Sequence, residues 1–404
     1  MSALVETANL LADRINALEE SATLGMSKKS RELAAQGHKV INLSVGEPDF
    51  KTPKHICDAA KAAIDNGFHH YTPVAGIPEL RKAIADKLKR ENNLDWKPEN
   101  IVVSTGAKHS LANVIQCLVN PGDEVVILAP YWVSYSEMVK LAEGKSVIVE
   151  GSFENDFKVT PEQLEAAITD RTKVVMYASP NNPTGSVYSE AELRALAKVI
   201  GYHENVFVLA DEIYEYINFT EEGHFSIGSI PEIKDRVITV NGFAKGFAMT
   251  GWRLGFIAAA KWIADGVEKL QGQVTSGTSS ISQRGAVVAW EDMSAPEMMK
   301  LAYLRRRDLV IKLLRDIPGV KVNVPDGAFY AFPDISFYFG KSDGNVIIKD
   351  ADQLCMWLLE TAHVAMVGGG SFGAPNCLRI STAASDEALI EAMNRVKAAL
   401  ATLN

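Results

Sequence analysis

The sequence predicts an α/β protein: a large lobe built on a mostly parallel seven-stranded sheet, with a smaller α/β lobe beside it. Three observations carry this. From about residue 100, short apolar β-rich runs alternate with helical patterns, as in a sheet whose strands are joined by helices. Runs such as Val174-Val175-Met176-Tyr177-Ala178 are apolar without alternation, which suits strands covered on both faces. Past about residue 300 the texture changes to a long charged helix, so a second lobe begins there.

Taken in order, Leu10, Leu11, Ile15 and Leu18 recur at helical spacing and predict an amphipathic N-terminal helix docked in a groove, of this chain or of a second subunit. Strands are expected at residues 101–104, 124–129, 146–149, 173–178, 206–210, 237–240 and 255–259. In such a sheet, functional groups gather at the strands' carboxyl ends. A helix is expected over 302–315, followed by the turn Pro318-Gly319; its Arg305-Arg306-Arg307 is read as a solvated face rather than an anion site. At 404 residues the chain exceeds one ordinary core. The expected division is a large lobe, 51–300, and a small lobe made of 1–50, with an N-terminal arm, and 301–404.

Composition removes several functions. The formal charge is −9 and the lysines and arginines are scattered, which leaves no footprint for nucleic acid. Four cysteines without close spacing read as thiols, not a disulfide scaffold. No long apolar run would span a membrane and no basic-then-apolar leader opens the chain, so a cytoplasmic location is the default. No metal is predicted: HExxH is absent, and the adjacent His69 and His70 would point apart on a strand. A G-x-S-x-G elbow and a phosphate-binding G-x-x-x-x-G-K-[ST] run are also missing.

The segment 242–255 holds one lysine and one arginine, Lys245 and Arg253, among small uncharged residues punctuated by glycine. Such a lysine suggests an amine kept neutral for attack on a carbonyl, with Arg253 answering an anion nearby; a surface turn with two solvated cations is the alternative. Three further segments follow expected strands and would share one rim. Gly106 and Ala107 join a strand to a helix whose free N–H groups suit a phosphate. Asn181 and Asn182 sit between Pro180 and Pro183, a rigid loop that presents an amide or serves simply as a turn. Asp211 ends an apolar strand and needs a cationic or hydrogen-bonding partner, unless it caps a helix. The literal G-x-G-x-x-G of Gly368 to Gly373 leads to a turn and a short strand, not a helix, which excludes a dinucleotide site. Arg379, between Leu378 and Ile380, is placed to fork onto a carboxylate or to make a structural salt bridge.

Together these pieces resemble the class I aminotransferases of fold type I, which use pyridoxal phosphate, in their bacterial aspartate and aspartate/prephenate branch. The motifs are Asn42-Leu43-Ser44-Val45-Gly46-Glu47-Pro48-Asp49-Phe50, Tyr71 with Ala75-Gly76-Ile77-Pro78-Glu79-Leu80-Arg81, Pro130-Tyr131-Trp132-Val133, Asn181-Asn182-Pro183-Thr184-Gly185, Asp211-Glu212-Ile213-Tyr214, the Lys245 segment and Arg379. They span nearly the whole chain. The resemblance implies that Lys245 holds the cofactor as a Schiff base and later carries the Cα proton, and that Asp211 pairs with the pyridine nitrogen. It further implies that Asn182 and Tyr214 bond the phenolic oxygen, that Trp132 covers the ring, and that Gly106, Ala107, Arg253 and a partner subunit's Tyr71 hold the phosphate. A homodimer with shared sites follows.

By the same resemblance, Arg379 and Gly46 take the substrate α-carboxylate, with Trp132 and Asn182 beside it. Ser21, Thr23 and Lys108 meet a distal carboxylate. The implied activity is reversible transfer of the amino group from L-aspartate to 2-oxoglutarate, giving oxaloacetate and L-glutamate by a ping-pong route through pyridoxal and pyridoxamine phosphate. Prephenate, aromatic or alanine transamination and, further off, a non-catalytic ligand-binding module are the rivals. Three positions depart from the family pattern: His109 for a frequent glutamine, Gly368-Gly369 for Pro-Gly, which is expected to loosen the loop feeding Arg379, and Thr382 for an aromatic.

Overall fold

The structure, a computed structural model, describes residues 10–404. Its strands in chain order are β1 (Ile41–Asn42), β2 (Ile101–Ser104), β3 (Glu124–Ala129), β4 (Lys145–Glu150), β5 (Thr172–Ala178), β6 (Phe207–Asp211), β7 (Val237–Gly242), β8 (Gly255–Ala258), β9 (Tyr330–Ala331), β10 (Val364–Ala365), β11 (Val367–Gly368) and β12 (Leu378–Ser381). All seven expected runs join one sheet in the order β2-β8-β7-β6-β5-β3-β4. Pairing among β3 to β7 is parallel, and β8 alone runs antiparallel, between β2 and β7.

Both faces of that sheet are covered, which is why its strands lack polar alternation. Val125, Ile127, Val174, Met176 and Leu209 pack on one side with Leu111 and Ile115 of the helix Ala107–Leu118 and Val267 of the helix Lys261–Val274. The intervening residues Val126, Leu128, Val175 and Val208 face Leu193, Leu196 and Ile200 of the helix Glu190–Gly201. A separate core joins Leu43 to residues of the helices Ser294–Arg315, Ala351–Thr361 and Asp386–Leu400, among them Leu314, Leu358 and Met393. Two small sheets, β1-β10 and β11-β12-β9, lie within this part, and the second carries Arg379 on β12.

Four expectations change. Among the described residues the N-terminal helix is Asp13–Asn16, too short for an apolar stripe, and Leu10, Leu11 and Ile15 are exposed, with no groove among the described residues receiving them. The triple arginine is not a uniform solvated face. Arg306 shares the inward stripe of Met299, Tyr303 and Val310, is buried, and forks onto Asp49 at 2.8 and 2.9 Å while Arg305 takes Asp386. His69 and His70 lie outside any strand and are exposed. The glycines at 368 and 369 permit close packing rather than looseness: a methyl group on Gly368 would strike the Asp352 carboxylate, and one on Gly369 the Ala374 and Cys377 carbonyls.

Candidate active site

The carboxyl ends of the central strands open on a cavity of about 330 Å³, closed on the far side by β9, β12 and residues 21–24 and 45–47. Asp211 is the last residue of β6 and Tyr214 follows it on a turn; no helix starts there, so the capping alternative falls away. Lys245 comes just after β7, Asn182 in the loop after β5, and Ala107 at the start of a helix. A wider hollow of about 520 Å³ near Trp357 and Arg395 lacks such convergence.

At one end, Gly106 adopts φ 87°, a conformation that favours glycine, and a methyl group there would strike the Arg253 guanidinium. Backbone and cation thus approach as closely as they can at a helix N-terminus. Arg253 donates to Thr250 O at 2.8 Å and, unlike Arg306, has no acid on it among the described residues. His109 Nδ1 accepts from the Thr105 N–H at 3.2 Å, so this ring is neutral, and burial lowers its affinity for a proton.

In the middle stand Asp211 and Lys245. Asp211 accepts from Tyr135 Oη at 2.7 Å and from the Ile213 N–H at 3.2 Å, yet burial outweighs both donors and pushes its carboxyl up to about 6. It is a buried acid waiting for a cation. Lys245 donates to Gly46 O at 2.5 Å; burial, then Arg379, bring its amine down to about 8, with Arg253 adding to the effect against Glu47 and Asp211. Tyr214 and Tyr330 share a hydrogen bond of 2.7 Å beside it.

At the other end Arg379 is 1% exposed and has no carboxylate on it among the described residues. Its Nη1 donates to Asn182 Oδ1 at 2.9 Å, its Nη2 to Ser44 O at 2.5 Å and Thr23 Oγ1 at 3.4 Å, and its Nε has no partner. A buried guanidinium so placed is costly unless an anion arrives from outside. The bond from Arg379 turns the Asn182 oxygen toward it and leaves the amide N–H groups for another acceptor. Lys108 stands at the mouth over the Trp132 ring, 4.7 Å from its centroid, still open to solvent; partial burial, then Arg253, lower its proton affinity.

Ser21, Thr23, Gly46, Ala107, Lys108, Trp132, Asn182, Asp211, Tyr214, Lys245, Arg253 and Arg379 therefore surround one cavity, with Gly106 beside it. Tyr71 does not join them: it is 98% exposed, away from the cavity. Sequence reasoning missed Tyr135, Tyr330 and Glu47. Tyr135 lies on the helix Ser134–Leu141, edge-on to Trp132, and its nearness to that motif is the signal that could have found it. Tyr330 lies on a two-residue strand, and Glu47 is held by Thr250 far along the chain, so neither carries a local signal.

Comparison with known proteins adds the following. A family model described as aminotransferase class I and II matches residues 38–396. The aspartate aminotransferase of Bacillus subtilis is 43% identical over 96% of this chain and 98% of its own length. The aspartate/prephenate aminotransferase of Cereibacter sphaeroides is 45% identical over 98% of this chain and 99% of its own. Among solved structures, the aspartate aminotransferase of Rhizobium meliloti superposes with a TM-score of 0.94 at 41% identity, covering 98% of this chain and 99% of that one. The Thermus thermophilus enzyme with maleate gives 0.90 at 41% identity, covering 96% and 99%.

Proposed function

The chain belongs to the class I and II aminotransferases and is a transaminase; from that premise we propose that it is a pyridoxal-phosphate-dependent aspartate aminotransferase, with L-aspartate and 2-oxoglutarate as its substrates. One observation carries this reading. Arg253, Arg379 and Lys108 face a single cavity, none with an acid of its own among the described residues, unlike Lys87 or Arg306. A cofactor phosphate, an α-carboxylate and a side-chain carboxylate would supply three anions for three cations. The Thermus relative, solved with the dicarboxylate maleate, supports the same count.

The residues fit the cofactor. Arg253 with the Gly106 and Ala107 backbone would hold the phosphate, Asp211 the protonated pyridine nitrogen, Asn182 and Tyr214 the phenolic oxygen, Trp132 the ring face, and Lys245 the aldehyde carbon. Bound there, pyridoxal phosphate supplies an electron sink for the pair left when a Cα proton departs. Arg379 and Gly46 fix the α-carboxylate, which aims the Cα–H at Lys245. Lys245, brought down to about 8, is free enough of its proton near neutrality to take one from Cα and return it elsewhere. Lys108, Ser21 and Thr23 select a second carboxylate.

In this reading residues 51–300 form the cofactor-bearing lobe, and 1–50 with 301–404 the smaller one. The protein acts as a homodimer in which each Tyr71 serves the other subunit's phosphate, a role its exposure allows. Cys57, Cys117, Cys355 and Cys377 are all free, which supports a reducing, cytoplasmic setting; among the described residues no helix is long and apolar enough to cross a membrane. The test is the visible spectrum of the protein loaded with pyridoxal phosphate, before and after L-aspartate, L-alanine, L-phenylalanine or, in the reverse direction, prephenate. Bleaching by L-aspartate well ahead of the neutral amino acids is expected. A better response to alanine or phenylalanine would refute the substrate, and failure to bind the cofactor would refute the chemistry.

A further inference from the structure

Behind the turn that carries Asp211 and Tyr214 lies a second set of ionisable groups. Asp211 and Tyr214 line the cavity, whereas Glu212 and Glu215 face the opposite side and are buried. Glu215 accepts from the Lys87 amine and, at 2.9 Å, from Asn92 Nδ2. Lys87, wholly buried on the helix Pro78–Asn92, also donates to Asn92 Oδ1 at 2.6 Å and stands 3.7 Å from Glu91. Glu212 accepts from Ser226 Oγ at 2.6 Å, and its other oxygen lies 3.0 Å from Nε2 of His224, whose side chain is only 8% exposed. That contact is off line for a hydrogen bond, so neither His224 nitrogen nor Glu212 Oε2 has one. Tyr177 faces Glu212 from β5.

The charges decide the state of this cluster. Lys87 sits on Glu215 and leaves the buried Glu212 without a lysine of its own, and a buried carboxylate without a counter-charge is strongly unfavourable. His224 is the remaining group able to supply a cation. We propose that Lys87, Glu212, Glu215 and His224 form a charge-balanced buried cluster, with His224 protonated, that anchors residues 211–215 from behind and makes His224 and Lys87 positioning residues for Asp211 and Tyr214. Burial by itself disfavours a charged His224, but Glu212 and then Glu215 outweigh it and raise the ring's proton affinity, against the opposing Lys87. Glu212, Glu215 and His224 are also close enough to grip a divalent cation, with ligand atoms within 4.8 Å of one another. The Lys87 ammonium on Glu215 already fills that role.

The sign of the pH effect follows. A ring whose proton affinity is raised by folding stabilises the fold fully below its ordinary value of 6.5, and that contribution is lost as pH climbs through the higher folded value. Above it, Glu212 is left uncompensated next to Asp211. The charge state of the cluster stands without the cofactor assignment; its effect on the ring contacts rests on it.

The experiment is an NMR titration of the imidazoles in the cofactor-loaded enzyme, with His224→Gln assigning the signal. His224 should titrate above 6.5, and at a lower pH than in the wild type once Glu212→Gln removes the larger of the two carboxylate effects that oppose burial. The melting temperature of the wild type should fall across the His224 transition, and spontaneous loss of the cofactor absorbance should quicken over the same interval. Both trends should vanish in Glu212→Gln/His224→Gln. A wild-type His224 titrating at or below 6.5, no response to Glu212→Gln, or one bound metal ion per chain that His224→Gln removes, overturns the cluster. Cofactor loss that ignores the transition overturns the positioning role alone. If the protein never takes up pyridoxal phosphate, the functional reading fails while the His224 titration still decides the cluster.

Discussion

Lys245 and Lys87 stand on opposite sides of residues 211–215, and their surroundings differ in one respect. Lys87 is wholly buried but keeps Glu215 and Asn92 on its amine. Lys245 has a backbone carbonyl instead of a carboxylate, with Arg379 and Arg253 near enough to repel its proton, and comes down to about 8. Lys87 is fully buried and Lys245 partly so, and the partner is what separates a lysine that holds a turn in place from one poised to exchange protons.

The largest effect expected is from Lys245→Ala. Losing both the covalent attachment point and the proton carrier should cut turnover of L-aspartate by about 10⁴-fold or more, with the fold unchanged in circular dichroism. Residual turnover within tenfold of the wild type would end the comparison on the cavity side. Lys87→Met tests the other side. It strands Glu215, so we expect about 3–5 kcal/mol less stability, read as a lower urea midpoint, and partial recovery when Glu215→Gln is added. An unchanged midpoint would mean that Lys87 contributes nothing to the turn.

Arg379→Lys comes next. It keeps the charge but gives up the fork and the bonds to Asn182 and Ser44, and about 3 kcal/mol, or ~10²-fold in kcat/KM, should be lost for every amino-acid substrate alike. A loss confined to dicarboxylates would reassign Arg379 to the distal group. The pH at which Lys245 sheds its proton gives a finer comparison. Capture of pyridoxal phosphate by the cofactor-free protein should accelerate with pH, level off above about 8 and be absent in Lys245→Ala, whereas an ordinary lysine would keep accelerating toward 10.5.

These contrasts explain which features were readable from the sequence. All seven strands of the sheet were legible because a doubly covered strand writes its burial into consecutive residues, as Val174 to Ala178 do. Lys245, Asp211 and Asn182 were legible as candidates because each sits where a polar group interrupts an apolar or rigid stretch. Arg306 was not: three successive arginines look alike, and only the helical phase set by Met299, Tyr303 and Val310 turns the middle one inward. The cluster behind Asp211 was invisible for a different reason. Its members come from three stretches of chain, around residues 87, 212–215 and 224, and no local pattern ties a lysine to a glutamate 128 positions away. Glycines 368 and 369 were visible but misread, since the sequence does not reveal that Asp352 and Cys377 crowd against them.

The smallest effect expected lies at the mouth, where Lys108 meets solvent. A rim cation gains less than a buried one because water screens it, so Lys108→Ala should lower kcat/KM for L-aspartate by only about tenfold, ~1.4 kcal/mol, and leave L-alanine unchanged. The ratio between the two substrates is therefore the informative quantity, not either rate. Raising ionic strength should shrink the wild-type preference toward that of the variant, because exposed charges are screened over about 10 Å at 0.1 M salt, while the contribution of Arg379, buried beneath Tyr330 and Phe372, should hold. If salt weakened both ends of the cavity equally, Lys108 and Arg379 would share one environment, and the division between an anchoring site and a selecting site would have to be given up.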